Sequence, residues 1–247
     1  MRVLLALLAL GFPGAAAAVT CQDRIFEAAS YTVCDVQADE DLRLYLDGQG
    51  GPFANFASLE DRLNADNKTL AFAMNAGMFD ENLAPIGLYV EAGIEGKAIV
   101  TKGGPGNFGL LPNGVFCTAR AGVAGPSFQI LESRAFVAMA PACWMATQSG
   151  PMLVIDGDLH PKFLKSSQSL KFRNGVGVSD DGSRAIFAIS NDAVNFHSFA
   201  RLFRDELGLN QALFLDGSIS RLYAPQMERS DLGFPIGPIV AVVEQKE

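Results

Sequence analysis

The 247-residue chain reads as an α+β fold: a single domain with a mixed β-sheet, strand-rich, with a few packed helices and one βαβ-like unit near the C-terminus. Three observations predict this. Most apolar runs are four or five residues long and bounded by turn-forming pairs such as Asp47-Gly48, Asp156-Gly157 and Asp181-Gly182, which is strand punctuation. Helical spacing shows clearly in only two places, residues 56–63 and 196–207. The second of these lies between two apolar runs, 186–189 (IFAI) and 212–215 (ALFL), giving strand, helix and strand in that order. If the two strands are parallel neighbours, this is a βαβ unit, and ligands in such sheets bind beyond the carboxyl ends of the strands.

The first 18 residues carry one basic residue, an apolar core and then small residues, the anatomy of a secretory signal peptide, so the folded domain is expected over 19–247. Residues 31–33 and 42–46 alternate apolar and polar side chains and read as half-exposed strands. A short helix over 56–63 is followed by a polar connector and a buried strand, 70–74, which delivers Asn75-Ala76-Gly77 to a tight turn. Hairpins are expected from 87–91 with 97–100, and from 108–111 with 115–118 around Pro112-Asn113-Gly114. The glycine-rich stretch 102–106 lacks the order of a phosphate-binding loop and reads as a flexible connector. Residues 136–144 suit a strand or a helix equally, 147–151 form a polar bend, 152–155 are a strand, and 239–243 are an edge or closing strand.

A formal net charge of −8 argues against general nucleic-acid binding and against docking on anionic lipid, both of which need Lys/Arg clusters. It leaves room for an anionic ligand, because one buried arginine can dominate a pocket locally. Export implies an oxidising compartment, periplasmic or secreted, with no stable membrane insertion after leader cleavage. The four cysteines then form two disulfides; of three possible pairings, Cys21–Cys34 with Cys117–Cys143 is the simplest. No close Cys pair or His/Asp cluster points to a transition metal, so no cofactor is expected, although carboxylates leave room for a divalent cation.

Several motifs occur in a fixed order: Asn75-Ala76-Gly77-Met78-Phe79, Gly87-Leu88-Tyr89-Val90, Gly106-Asn107-Phe108, Pro112-Asn113-Gly114-Val115-Phe116, Gln148-Ser149-Gly150-Pro151 and Leu215-Asp216-Gly217. Together they make the chain resemble the phosphodiester glycosidase family from about Met74 to Pro225, and within it the bacterial branch labelled exopolysaccharide-biosynthesis proteins. The family includes the lysosomal enzyme that removes N-acetylglucosamine from a mannose 6-phosphate diester. The resemblance implies a carbohydrate or sugar-phosphate substrate and hydrolysis of the glycosidic bond in a sugar-1-phosphodiester. The family's usual run of glycines before a serine is here Gly217-Ser218-Ile219-Ser220.

Asp216 is the first catalytic candidate, because its carboxylate emerges from a buried strand at the expected ligand edge, as base or as stabiliser of an oxocarbenium-like state. Arg173 is the second, since its planar fork suits a phosphodiester oxygen. His197, in the first turn of the helix, is a candidate acid or phosphate ligand. Asn75, Gly77, Asn107, Ser149, Gly150, Asn191 and Ser218 are candidate substrate contacts, through side-chain amides and hydroxyls or through close backbone approach. A serine-hydrolase triad is not expected: no G-x-S-x-G occurs, and the only histidines are His160 and His197. The same polar set also suits a non-catalytic saccharide-binding or assembly factor of the cell envelope, and a phosphodiesterase breaking the P–O bond is a third reading.

Overall fold

A computed structural model describes residues 19–48, 50–120, 122–217 and 219–246. The expected leader lies outside the described residues, as does Ser218.

Among the described residues three large sheets build the molecule, beside a small two-stranded ladder of Asp47–Gly48 with Gly51–Pro52. The first has seven strands in the order Thr20–Phe26, Ala29–Gln37, Arg184–Ser190, Asn174–Val178, Gln211–Asp216, Met152–Ile155 and Asp158–Leu159. The second runs Phe128–Glu132, Gly114–Thr118, Met145–Ser149, Tyr89–Glu91, Ile94–Lys97. The third runs Arg229–Ser230, Leu222–Ala224, Lys68–Asn75, Ile239–Gln245, Leu42–Tyr45. Their inner faces share one core. Phe72, Phe116 and Phe187 supply one ring from each sheet, with Phe187 centred 5.2 Å from Phe72 and 5.8 Å from Phe116. Side chains of this size each contribute about 1.5–3 kcal/mol when fully buried, so the junction of the three sheets is the main source of cohesion.

Helices cover the outer faces. Phe56–Ala65 begins at Asn55, whose side chain accepts the Ser58 N–H, and it lays Phe56, Leu59 and Leu63 on the third sheet. The helix Phe196–Arg201 is capped by Asn195 and continues as a π-helical turn, Leu202–Glu206, packing Phe199 and Phe203 on the first sheet. The strand beneath reads Asn-Gly-Val-Gly-Val. A Cβ at Gly175 would lie 3.3 Å from Phe199, and one at Gly177 3.0 Å from Phe203, so only glycine lets this helix seat so closely.

Several expectations are corrected. All the strand pairings among the described residues are antiparallel, so the sheets are not mixed. The strands joined by the helix, Arg184–Ser190 and Gln211–Asp216, each pair antiparallel with Asn174–Val178 lying between them. They therefore run parallel to each other without being neighbours, and the βαβ unit is not formed. The return strand of the first hairpin is Ile94–Lys97, earlier than expected, and Gly114–Thr118 pairs with Phe128–Glu132 and Met145–Ser149 instead of 108–111. The ambiguous stretch divides into a helix, Ser133–Met139, and a loop. Thr147, Gln148 and Ser149 belong to a buried strand, not a bend. Ile239–Gln245 is an interior strand, paired on both sides. The disulfides are Cys21–Cys34, directly opposite in the first hairpin, and Cys117–Cys143.

Candidate active site

Three strand ends from two sheets converge on a buried polar cluster. Asn75 ends its strand, Asn174 begins one and Asp216 ends the strand beside it. Asn174 is the hub. Its Nδ2 donates to the Asn75 carbonyl and to Asn75 Oδ1, both at 3.0 Å, and its Oδ1 accepts the Asp216 N–H at 2.8 Å. Asn75 Oδ1 also accepts the Arg221 N–H at 2.9 Å. Ser220 Oγ donates to the Asp216 carbonyl at 2.8 Å, and Asp216 Oδ1 accepts the Gly217 N–H at 2.6 Å. These bonds fix the backbone around the Asp216 carboxylate, which is 9% exposed.

Beside the cluster opens a cleft of about 570 Å³ whose wall includes Lys171, Gly217, Ser220 and Arg221. Arg221 is 5% exposed, and its Nη2 has no acceptor. Asn75 Nδ2 is a second buried donor without an acceptor. Two such donors in directly bonded residues are unusual, because buried polar groups are normally paired. The nearby Asp231 carboxylate is already held by Arg229 at 3.0 and 2.9 Å and accepts the Leu222 N–H at 2.9 Å. Burial lowers the Arg221 pKa, Asp231 opposes that shift, and the guanidinium stays charged at neutral pH. The cleft can therefore take an anion although the chain as a whole is acidic.

A second layer supports the first. Ser149 Oγ donates to the Leu215 carbonyl at 2.7 Å, one residue before Asp216. Gly77 donates its N–H to Thr147 Oγ1 at 3.0 Å, and a Cβ there would collide with that hydroxyl and with the Gln148 carbonyl. At Gly150 a Cβ would lie 2.7 Å from the Asn113 side chain. Gln148 Oε1 accepts the N–H groups of Leu88 and Val100, and its Nε2 donates to Ser133 Oγ, so this polar side chain serves as backbone inside the core. Gly77, Ser149 and Gly150 thus hold the frame around Asn75 and Asp216.

The other expected residues lie elsewhere. The Arg173 side chain makes its contacts outside the cluster. Its Nε donates to the Val194 carbonyl at 2.8 Å and its Nη2 to the Ser169 carbonyl at 2.9 Å; the guanidinium lies 3.7 Å from the centre of the Phe196 ring. It is 1% exposed, and burial pulls its pKa down to about 10. His197 is half-buried near Arg201, Lys165 and Glu27, with its pKa lowered, by burial first. Asn107 is exposed in its loop. Asn191 accepts from Arg229 Nη1 at 2.8 Å and donates to Thr32 Oγ1 at 3.1 Å in a separate network. Among the described residues no group of three His, Cys, Asp or Glu side chains is placed to hold a metal ion. Asn174 and Arg221 were not singled out from the sequence. Asn174 was visible only as the neighbour of Arg173, and nothing local marks Arg221.

The chain belongs to the phosphodiester glycosidase family, whose model matches residues 68–235. It is 35% identical over 223 residues to the uncharacterized protein YigE of Escherichia coli K12, covering 90% of this chain and 84% of that protein. The zebrafish N-acetylglucosamine-1-phosphodiester α-N-acetylglucosaminidase catalytic domain, auto-inhibited by its pro-peptide, has a similar fold: TM-score 0.59, 12% identity, covering 91% of this chain and 81% of that one. So has a protein of Burkholderia pseudomallei K96243 assigned as exported: TM-score 0.54, 11% identity, covering 87% and 74%.

Proposed function

We propose that the protein hydrolyses the anomeric C–O bond of sugar-1-phosphodiesters, releasing free sugar and a phosphomonoester. The observation that carries this is the orphaned donor Arg221 Nη2 on the cleft wall, with the orphaned Asn75 Nδ2 and the Asp216 carboxylate in the buried cluster beside it. Arg221, with Lys171 at the wall, would hold the phosphate and offset the charge it gains as the bond breaks. Asp216 would face the anomeric carbon, stabilise its oxocarbenium character and accept a proton from the attacking water. The water oxygen ends on the sugar, and the bonding electrons leave with the phosphate, which needs little help from a general acid. Arg173, His197 and Asn107 have no place in these steps.

Two disulfides and the likeness to a protein assigned as exported support a periplasmic or secreted location. Among the described residues no helix is long and apolar enough to cross a membrane. An exported enzyme would meet such diesters in envelope or exopolysaccharide material. The test is a panel of sugar-1-phosphodiesters incubated with purified protein in ¹⁸O-labelled water. Free sugar carrying the label is the expected product, and Asp216→Asn should lose about a hundredfold or more of the rate. Label in the phosphate would identify a phosphodiesterase instead. Saturable saccharide binding with no product would leave a binding factor.

A further inference from the structure

The mouth of the cleft differs in chemistry from its interior. Leu170 and Phe172 line it from one segment, and Leu232 and Phe234 from another distant in sequence. Leu232 is 91% exposed and Phe234 76%, and both Leu170 and Phe172 are at least half exposed. Single exposed apolar side chains need no explanation, but four converging on one opening do. Between Leu232 and Phe234, Gly233 lies over the Arg221 guanidinium, where a Cβ would sit 2.8 Å from Nη2. The apolar rim and the cationic seat are therefore adjacent parts of one surface.

Resting on the function proposed above, we infer that the diester held at Arg221 carries an apolar aglycone, an alkyl or prenyl chain, that lies along Leu170, Phe172, Leu232 and Phe234. The orientation follows from the walls. Asp216 is buried and bonded to Gly217 and Ser220 of the cleft wall, whereas the four apolar side chains are exposed, so the sugar would lie on the buried side, the phosphate at Arg221, and the aglycone along the exposed rim. A sugar aglycone would bring hydroxyl groups against two leucine side chains that offer them no hydrogen bond. An alkyl chain would remove both its own surface and the rim from water.

The test compares two N-acetylglucosamine-1-phosphodiesters, methyl and octyl, with a mannosyl diester as the polar aglycone. Affinity is read by calorimetry on Asp216→Asn, so that chain-length dependence appears whether or not the wild type turns over. Each methylene that reaches the rim is worth about fourfold, so octyl should bind at least about tenfold more tightly than methyl. The added double change Leu232→Ser/Phe234→Ser, at exposed positions, should abolish that gain and leave methyl affinity within about twofold. Equal affinities for methyl and octyl, a mannosyl diester that binds as tightly as octyl, or an octyl gain that survives the double change would each overturn the inference. So would rim-dependent flotation with phosphatidylcholine vesicles without any octyl gain, which would assign the rim to a membrane surface. Failure of the proposed hydrolysis shows separately, as absence of free sugar from every diester with the wild-type protein.

Discussion

Two arginines in this molecule are almost equally buried and chemically opposite. Arg173 donates to two backbone carbonyls and lies against the Phe196 ring, with the Phe214 ring centre 5.6 Å away. Its positive charge has no carboxylate partner among the described residues, yet its contacts are local and closed. Arg221 has an unspent donor, a neighbouring carboxylate already shared with Arg229, and a position on the wall of a cleft. Burial alone does not tell structure from function. What separates the two is where their hydrogen bonds end: the Arg173 guanidinium is spent on its own surroundings, whereas Arg221 keeps a donor on a cleft wall, where a ligand can take it.

The sharpest test exchanges these roles. Arg221→Ala should reduce kcat/KM for a sugar-1-phosphodiester about 10³-fold, because it removes the preorganised charge facing the phosphate. Its stability should change by no more than about 1 kcal/mol, since it deletes a desolvated cation that few contacts repay. Arg173→Met should do the reverse. The Ser169 carbonyl loses the guanidinium donor, the Val194 carbonyl keeps only the Lys171 N–H, and the ring contact goes, so urea denaturation should show a loss of about 2 kcal/mol, with kcat/KM per folded molecule within about threefold of wild type. An Arg173→Met protein that is stable but inactive would break the comparison.

The sequence foretold parts of this and concealed others for identifiable reasons. The apolar runs 70–74, 152–155, 186–189 and 212–215 all fall within strands, because a continuous apolar run in a sheet protein is buried on both faces. Asn75 and Asp216, placed at the ends of two such runs, do meet. The strand Met145–Ser149 was hidden because Thr147, Gln148 and Ser149 are polar but fully bonded, and polarity alone suggested a turn. Arg173 stands just before the strand that Asn174 begins, and its guanidinium is taken up by the Val194 and Ser169 carbonyls, so the amide of its neighbour is the group that joins Asp216. Arg221 lacked any local signal, since its burial depends on the later segment around Gly233 folding over it. Which strands pair was likewise invisible, as with Ile239–Gln245, which fills the space between strands that begin at Lys68 and Leu42.

Asn174→Ala probes the frame that distinguishes the Arg221 side, with a smaller effect. The change removes the bonds to both Asn75 oxygens and to the Asp216 N–H. It should cost about 2 kcal/mol of stability and lower kcat more than it raises KM, because the Asp216 loop loses its anchor while Arg221 and the rim remain. An unchanged kcat would mean that Ser220 and Gly217 suffice to hold the carboxylate.

The smallest effect is expected from the titration of His160, on the Arg173 side. The His160 ring stacks on Phe163 at 4.7 Å, and Phe163 stacks on Phe196 at 5.0 Å, in a column that ends at Arg173. Burial first, then Lys162, lowers the His160 pKa below its ordinary 6.5. The folded state therefore prefers neutral His160, and the unfolded chain binds the proton first. This contribution is present above about pH 6.5 and is lost as pH falls from there through the lower folded value. Glu40 works in the opposite sense: burial raises its pKa to about 7, so its contribution is present below 4.5 and is lost as pH rises through about 7. Bulk acid melting superposes the two, which is why the measurement must be a difference. His160→Phe keeps a ring in the column and removes the titration, so wild-type Tm should fall relative to the variant between pH 7 and 5. The pH profile of kcat/KM should be the same in both proteins, because the column ends at Arg173 and Arg221 is not part of it. A shifted profile would show that the sealed arginine and the open one are coupled after all.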